Sequence, residues 1–288
     1  MSASSSRHKS PLTLFLSIFE RVIHIQCNDE TVYQLLKAGY GGLAIPHGKV
    51  PDLSYTVGHR EVDAGYFLRR EGQARLDAPD IAEFLFFFEK DLTIELQRCR
   101  PDLYFLHAAA VALGEKAALL VAPSGTGKST TAWGLLHTGF RYLSDELAPV
   151  NLDRMTVSPY PHALCLKREP PGPYPLPVDT LRTSETFHVP VEHLPAKMVS
   201  MPVVLAAIFF LRREGAHEQP STREVSVGEA SARLLANALN PLAHRADGLD
   251  AAIEIARQVR CFELHVTGLV ETCETIHQTL QALPAALR

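Results

Sequence analysis

The 288-residue sequence has none of the spacings that build a disulfide framework or a zinc site. Its five cysteines (Cys27, Cys99, Cys165, Cys261, Cys273) are scattered, with no C-x-x-C pair, which suits a reducing, cytoplasmic compartment. None of the thirteen histidines falls into H-E-x-x-H or a comparable metal pattern. No G-x-S-x-G elbow positions a hydrolase serine. Long apolar runs are missing as well. "LAAIFFL" at 205–211 is far short of a membrane span, so no membrane partner is expected. The short apolar stretch after "MSASSSRHKSP" leads into "ERVIHIQ" and not into a small-residue cleavage site, which argues against a signal peptide. The net charge of −4 includes no run of one sign, so nothing predicts a nucleic-acid groove. The pairs "RR" at 69–70 and 212–213 read as solvated surface charges. Tryptophan is nearly absent, and the single Trp133, like "FLFFF" at 84–88, reads as core.

What is present is a chain of two textures. Residues 1–10 read as a disordered tail. Residues 11–102 mix strand-like "LTLFLSIF" and "VIHIQ", a short helix ended by glycine in "DETVYQLLKAGYG", hairpin alternation, and a helical stretch bounded by Pro79 and Pro101. This predicts a small α+β region. From 103 to 288 strands and helices alternate, which predicts an α/β layered domain. "LYFLHAAAVAL" and "KAALLVA" read as a hairpin, and "FRYLSDE" as a short strand. The proline-rich segment 168–195 reads as an irregular, mobile excursion.

The most specific signal is "APSGTGKS" at 122–129, which fits [AG]-x-x-x-x-G-K-[ST]. Such a loop must turn its N–H groups inward around a polyphosphate, and glycine permits that without a Cβ clash. The following helix adds free N–H groups and the positive end of its dipole. Pro123, Ser124, Gly125, Thr126, Gly127, Lys128, Ser129 and Thr130 are the candidate nucleotide-binding residues. Lys128 is expected to reach the β/γ-phosphates and Ser129 to offer its hydroxyl to Mg²⁺. Ala122 stands at the first position, where a left-handed conformation would exclude it.

Asp145 and Glu146 follow Lys128 by only seventeen and eighteen residues. That gap holds one helix ended at Gly139 and one short strand. The strand's carboxyl end then returns beside the loop, because ligands of α/β sheets bind at strand termini. Phosphoryl transfer needs a carboxylate that holds metal and a group that orients or deprotonates the acceptor hydroxyl, and adjacent residues can divide those roles.

"LHAAAV" together with "PSGTGKSTTAWGLLHTGFRYLSDELA" resembles the kinase domain of HPr kinase/phosphorylase, whose fold is related to phosphoenolpyruvate carboxykinase. The pair Leu166–Lys167, "RLLANALNPL" and "VRCFEL" resemble HPr kinase-related proteins found with peptide-modification systems, including kinases of lasso-peptide precursors. The resemblance spans roughly 103–266 and implies a P-loop kinase core of the HPr kinase/phosphoenolpyruvate carboxykinase type. It implies Asp145 as general base, Glu146 and Asp145 with Ser129 on the metal side, and Lys128 in catalysis. His107 matches a histidine that opens the kinase core, either in a direct role or capping a strand. Lys167 either contacts phosphate or lies at the surface. "TFHVPVEHLPAKM" occupies the region where HPr kinases carry a glycine- and arginine-rich signature, so phosphorylase activity and HPr as substrate are not implied.

The expected activity is therefore ATP- and Mg²⁺-dependent phosphorylation of a serine hydroxyl on a peptide or small protein, a lasso-type precursor included. A nucleotide-binding regulatory module with little turnover and a small-molecule kinase are the alternatives. The sequence leaves homo-oligomerisation open.

Overall fold

Alternating burial along Leu12–Ile18 (β1) and Arg21–Cys27 (β2) pairs these segments as an antiparallel hairpin. The computed structural model describes residues 12–60, 63–213 and 219–284, so the tail expected at 1–10 lies outside them. Asp29 caps α1 (Glu30–Tyr40) by accepting the Val32 N–H. The helix returns the chain so that β3 (Leu53–His59) lies parallel to β2. β4 (Tyr66–Arg70) and β5 (Leu76–Ala78) complete a sheet of order β1-β2-β3-β4-β5. Helix α2 (Ile81–Cys99) seats Phe88 edge-on against Tyr40 and Tyr55, at 5.7 and 5.4 Å between ring centroids. The first compact unit, Met1–Thr93, ends within α2, and the second runs from Ile94 to Arg288.

The second unit is built on a mixed nine-stranded sheet. Its first strands are β6 (Leu103–Leu106), β7 (Ala108–Leu113) and β8 (Lys116–Val121). Helix α3 (Lys128–Leu136), β9 (Arg141–Ser144), β10 (Ala148–Asn151) and β11 (Thr156–Val157) follow. The 168–195 region is not structureless. It contributes to a separate three-stranded sheet of β12 (Leu164–Leu166), β13 (Leu181–Arg182) and β14 (Phe187–Val189). Leu164, Leu166, Val189 and Val191 anchor that sheet in the core, and the Tyr174 carbonyl accepts the Trp133 indole N–H at 2.9 Å. Apolar residues between the prolines supply this anchoring, which a count of prolines hides.

The chain then forms β15 (Val203–Arg212), β16 (Ser221–Glu224), α4 (Val227–Ala236), α5 (Leu249–Gln258), β17 (Arg260–His265) and α6 (Leu269–Ala282). Strand order is β6-β10-β11-β15-β8-β7-β9, with β17 also on β15 and β16 beyond it. One face packs on α4 and α5 through Leu234, Ile255 and Ala252, the other on α3 and α6 through Trp133, Leu135 and Ile276. Both faces are apolar, as a covered central sheet requires.

Strand directions decide where the site lies. β7 is antiparallel to both β8 and β9, so those two run the same way with β7 between them. Ala108 faces Val121 and Ala110 faces Ser144. The carboxyl ends of β8 and β9 and the start of β7 therefore meet at one edge. β15 runs parallel to β8 with Phe210 opposite Val121, and it reaches the same edge. Among the described residues, no helix is long and apolar enough to cross a membrane.

Candidate functional site

The loop leaving β8 carries its two glycines in the left-handed region, at φ 86° for Gly125 and 116° for Gly127. A Cβ at either position would strain the turn, which explains glycine there. Ala122 has no such φ and is buried in the core, so its methyl group fits where the pattern also allows glycine. Gly127 is the N-cap of α3, and no side chain caps it. The first N–H groups of α3 thus point out of the helix beside the loop. Pro123, Ser124 and Gly125 are exposed, whereas Thr126, Gly127, Ser129 and Thr130 are half-buried.

Lys128 is buried, and its Nζ donates to the Ala122 carbonyl at 3.1 Å. The same Nζ lies 2.9 Å from Nε2 of His107. Burial lowers the pKa of Lys128, while Asp145 and Glu146 oppose that shift. Burial, followed by the Lys128 charge, also lowers His107 and keeps its ring neutral. A neutral ring can accept from the ammonium. His107 separates β6 from β7, where one strand was expected. Its N–H donates to the Asn237 carbonyl at 2.8 Å, and Leu239 N–H donates to Phe105 O at 2.8 Å. Asn240 completes this edge, accepting from Phe105 N–H and donating to Leu103 O. The "LANALNPL" segment therefore holds His107 in place. His107 touches Lys128, not the two carboxylates.

Asp145 and Glu146 follow the last residue of β9 and part company there: Asp145 is fully buried and Glu146 exposed. One Asp145 oxygen, Oδ2, accepts the Cys165 N–H at 3.0 Å. The other, Oδ1, has no hydrogen-bond partner among the described residues. Burial pushes the Asp145 carboxyl up to about 7, with the Glu146 charge adding to the shift. The Cys165 N–H, the Ser129 hydroxyl and Lys128 pull the other way. Ser129 acts on Asp145 through its hydroxyl, although no hydrogen bond of ordinary geometry reaches Oδ1. The structure thus brings Lys128, Ser129, Asp145 and Glu146 into one charged neighbourhood, with His107 behind Lys128.

Three further groups surround it, Cys165, His188 and His162. Cys165 supplies the backbone donor to Asp145, and its thiol sits 3.1 Å from His188 Nδ1. Burial lowers His188 to about 4, helped by His162 and opposed by Glu146. Burial likewise lowers His162. Among lone histidines and cysteines no spacing signals this, because strand pairing of β12 with β14 makes the neighbourhood. Lys167, for which the sequence offers two roles, reaches Ser124 Oγ at 2.8 Å and so brings a second cation to the loop.

No family model and no curated protein matches the chain. Among solved structures, the HPr(Ser) kinase/phosphatase from Coxiella burnetii is similar over 62% of this chain and 97% of that one. Identity is 11% and the TM-score 0.29. At that level the likeness carries no argument about site or activity, which rest on the chain's own residues.

Proposed function

We propose that this protein transfers the terminal phosphoryl group of MgATP to a hydroxyl acceptor, with Asp145 as general base. One observation carries the reading: a buried carboxylate with one unpartnered oxygen, raised to about 7, stands beside the lysine and serine of a glycine-rich loop. A base with that pKa is half-ionised near neutral pH, where general-base catalysis works best.

In this reading, N–H groups of 124–130 and the start of α3 enclose the phosphates. Lys128 leaves His107 and Ala122 O to neutralise charge at the β/γ-phosphates. Ser129 and Glu146 would hold Mg²⁺, and their all-oxygen donor set fits that hard cation, while Asp145 keeps its unpartnered Oδ1 free for the acceptor's proton. Bound there, Mg²⁺ supplies charge neutralisation on the phosphate oxygens. The acceptor's O–H proton passes to Asp145 Oδ1 while its oxygen bonds to the γ-phosphorus. The bond from that phosphorus to the β–γ bridging oxygen breaks, and ADP leaves with the electron pair.

We further infer that the acceptor is a serine of a peptide or small protein, as the resemblance of "PSGTGKST … SDE" implies, and that Lys167 contacts phosphate. The test is incubation with γ-labelled MgATP and either a peptide pool or a metabolite pool. Label in peptides supports the whole reading. Label only in metabolites overturns the acceptor class, and ATP binding without transfer to any pool overturns the kinase assignment in favour of a regulatory nucleotide-binding module.

The raised carboxyl also fixes the sign of the pH dependence. The base form exists above its pKa, so kcat/KM should climb with pH to a plateau, with a midpoint near 7. Below the midpoint it should fall about tenfold per pH unit. A profile level from pH 5.5 to 8.5 would remove Asp145 from the base role.

A further inference from the structure

Arg212 and Arg213, which look alike in sequence as a solvated pair, diverge in the structure. Arg212 Nη1 is 3.4 Å from Glu263 Oε2, a carboxylate that also pairs with Arg223 and Arg233. Arg213 is exposed and makes no ion pair or side-chain hydrogen bond among the described residues. Its guanidinium instead lies over the phosphate loop. Nη2 of Arg213 is 3.7 Å from the point where a Cβ on Gly127 would stand. Sheet direction accounts for this approach: β15 is parallel to β8, its Phe210 faces Val121, and the next residues overrun the edge where the loop begins.

We infer that Arg213 binds the nucleotide polyphosphate, as a cation supplied from outside the loop motif. The inference rests on the proposed MgATP site and adds a binding residue to it. An unpaired guanidinium beside inward-turning N–H groups is placed to donate two hydrogen bonds to phosphate oxygens, a geometry lysine cannot reproduce. Its position also complements the charges already present. Lys128 is held against His107 and Ala122 O, and Lys167 meets the loop at Ser124, whereas Arg213 meets it at Gly127. The carboxylates Asp145 and Glu146 follow β9, which β7 separates from β8. The polyphosphate would thus have cations at both ends of the glycine turn.

The test compares wild type with Arg213→Ala and Arg213→Lys by calorimetric titration of MgATP, at low and moderate salt. Arg213→Ala is expected to weaken binding roughly tenfold or more, with a smaller salt dependence, and Arg213→Lys to recover only part of the loss. Thermal unfolding of the free protein should be unchanged, because Arg213 is exposed and unpaired. MgATP affinity within twofold of wild type for Arg213→Ala would overturn the inference while leaving the kinase reading intact. Failure of the wild type itself to bind MgATP would overturn both.

Discussion

Asp145→Asn should reduce phosphoryl transfer by roughly 10³-fold, within the range expected for loss of a general base, while MgATP affinity changes by less than about threefold. Asparagine keeps the shape and can still accept the Cys165 N–H through its carbonyl, so β9 and β12 stay tied. What it cannot do is take a proton. The same substitution should stabilise the free protein above neutral pH. The raised pKa means that the folded state holds a proton longer than the unfolded chain, so stability declines as pH rises from about 4 towards 7. An uncharged side chain removes that decline. The variant's advantage in urea should therefore be present at pH 8 and shrink at pH 5. Separating transfer from binding needs both assays on one preparation, and full-rate transfer by the variant would contradict the base role.

Lys128→Met should act on both quantities. The apolar stem keeps its packing, but the loop loses the only buried ammonium found beside Asp145 among the described residues. MgATP should bind about 10–100-fold more weakly, and transfer at saturating nucleotide should fall by roughly 10²-fold or more. Because burial lowers the lysine's pKa, its charge costs folding energy, and the variant should melt no lower than wild type. A lower melting temperature would mean that the Lys128–His107 contact is structural first. MgATP affinity equal to wild type, by calorimetry, would mean that nucleotide does not bind at this loop.

The two signals on which this site rests were legible for different reasons. Gly125 and Gly127 have positive φ, which residue type alone announces. Asp145 lies one helix and one strand beyond Lys128, a local spacing that depends on no tertiary contact. Strand order was less accessible. β9 lies beside β7 and not beside β8, and only the register of Ala108 with Val121 and Ala110 with Ser144 brings the ends together. The sealing of Asp145 depends on β12 delivering the Cys165 N–H from a separate sheet. Prolines around that sheet disguised it as loop, although Leu164, Leu166 and Val189 are core residues. Arg212 and Arg213 show the same limit from the other side. Adjacent identical residues alternate in direction at a strand end, so one finds Glu263 and the other the loop.

The most direct test is a crystal structure of the protein with Mg²⁺ and a non-hydrolysable ATP analogue. The account predicts the triphosphate enclosed by the N–H groups of 124–130, Lys128 released from His107 onto the phosphates, and Asp145 Oδ1 facing the γ-phosphate. A triphosphate bound elsewhere, or one bound in the loop with Asp145 turned away from the γ-phosphate, would contradict it.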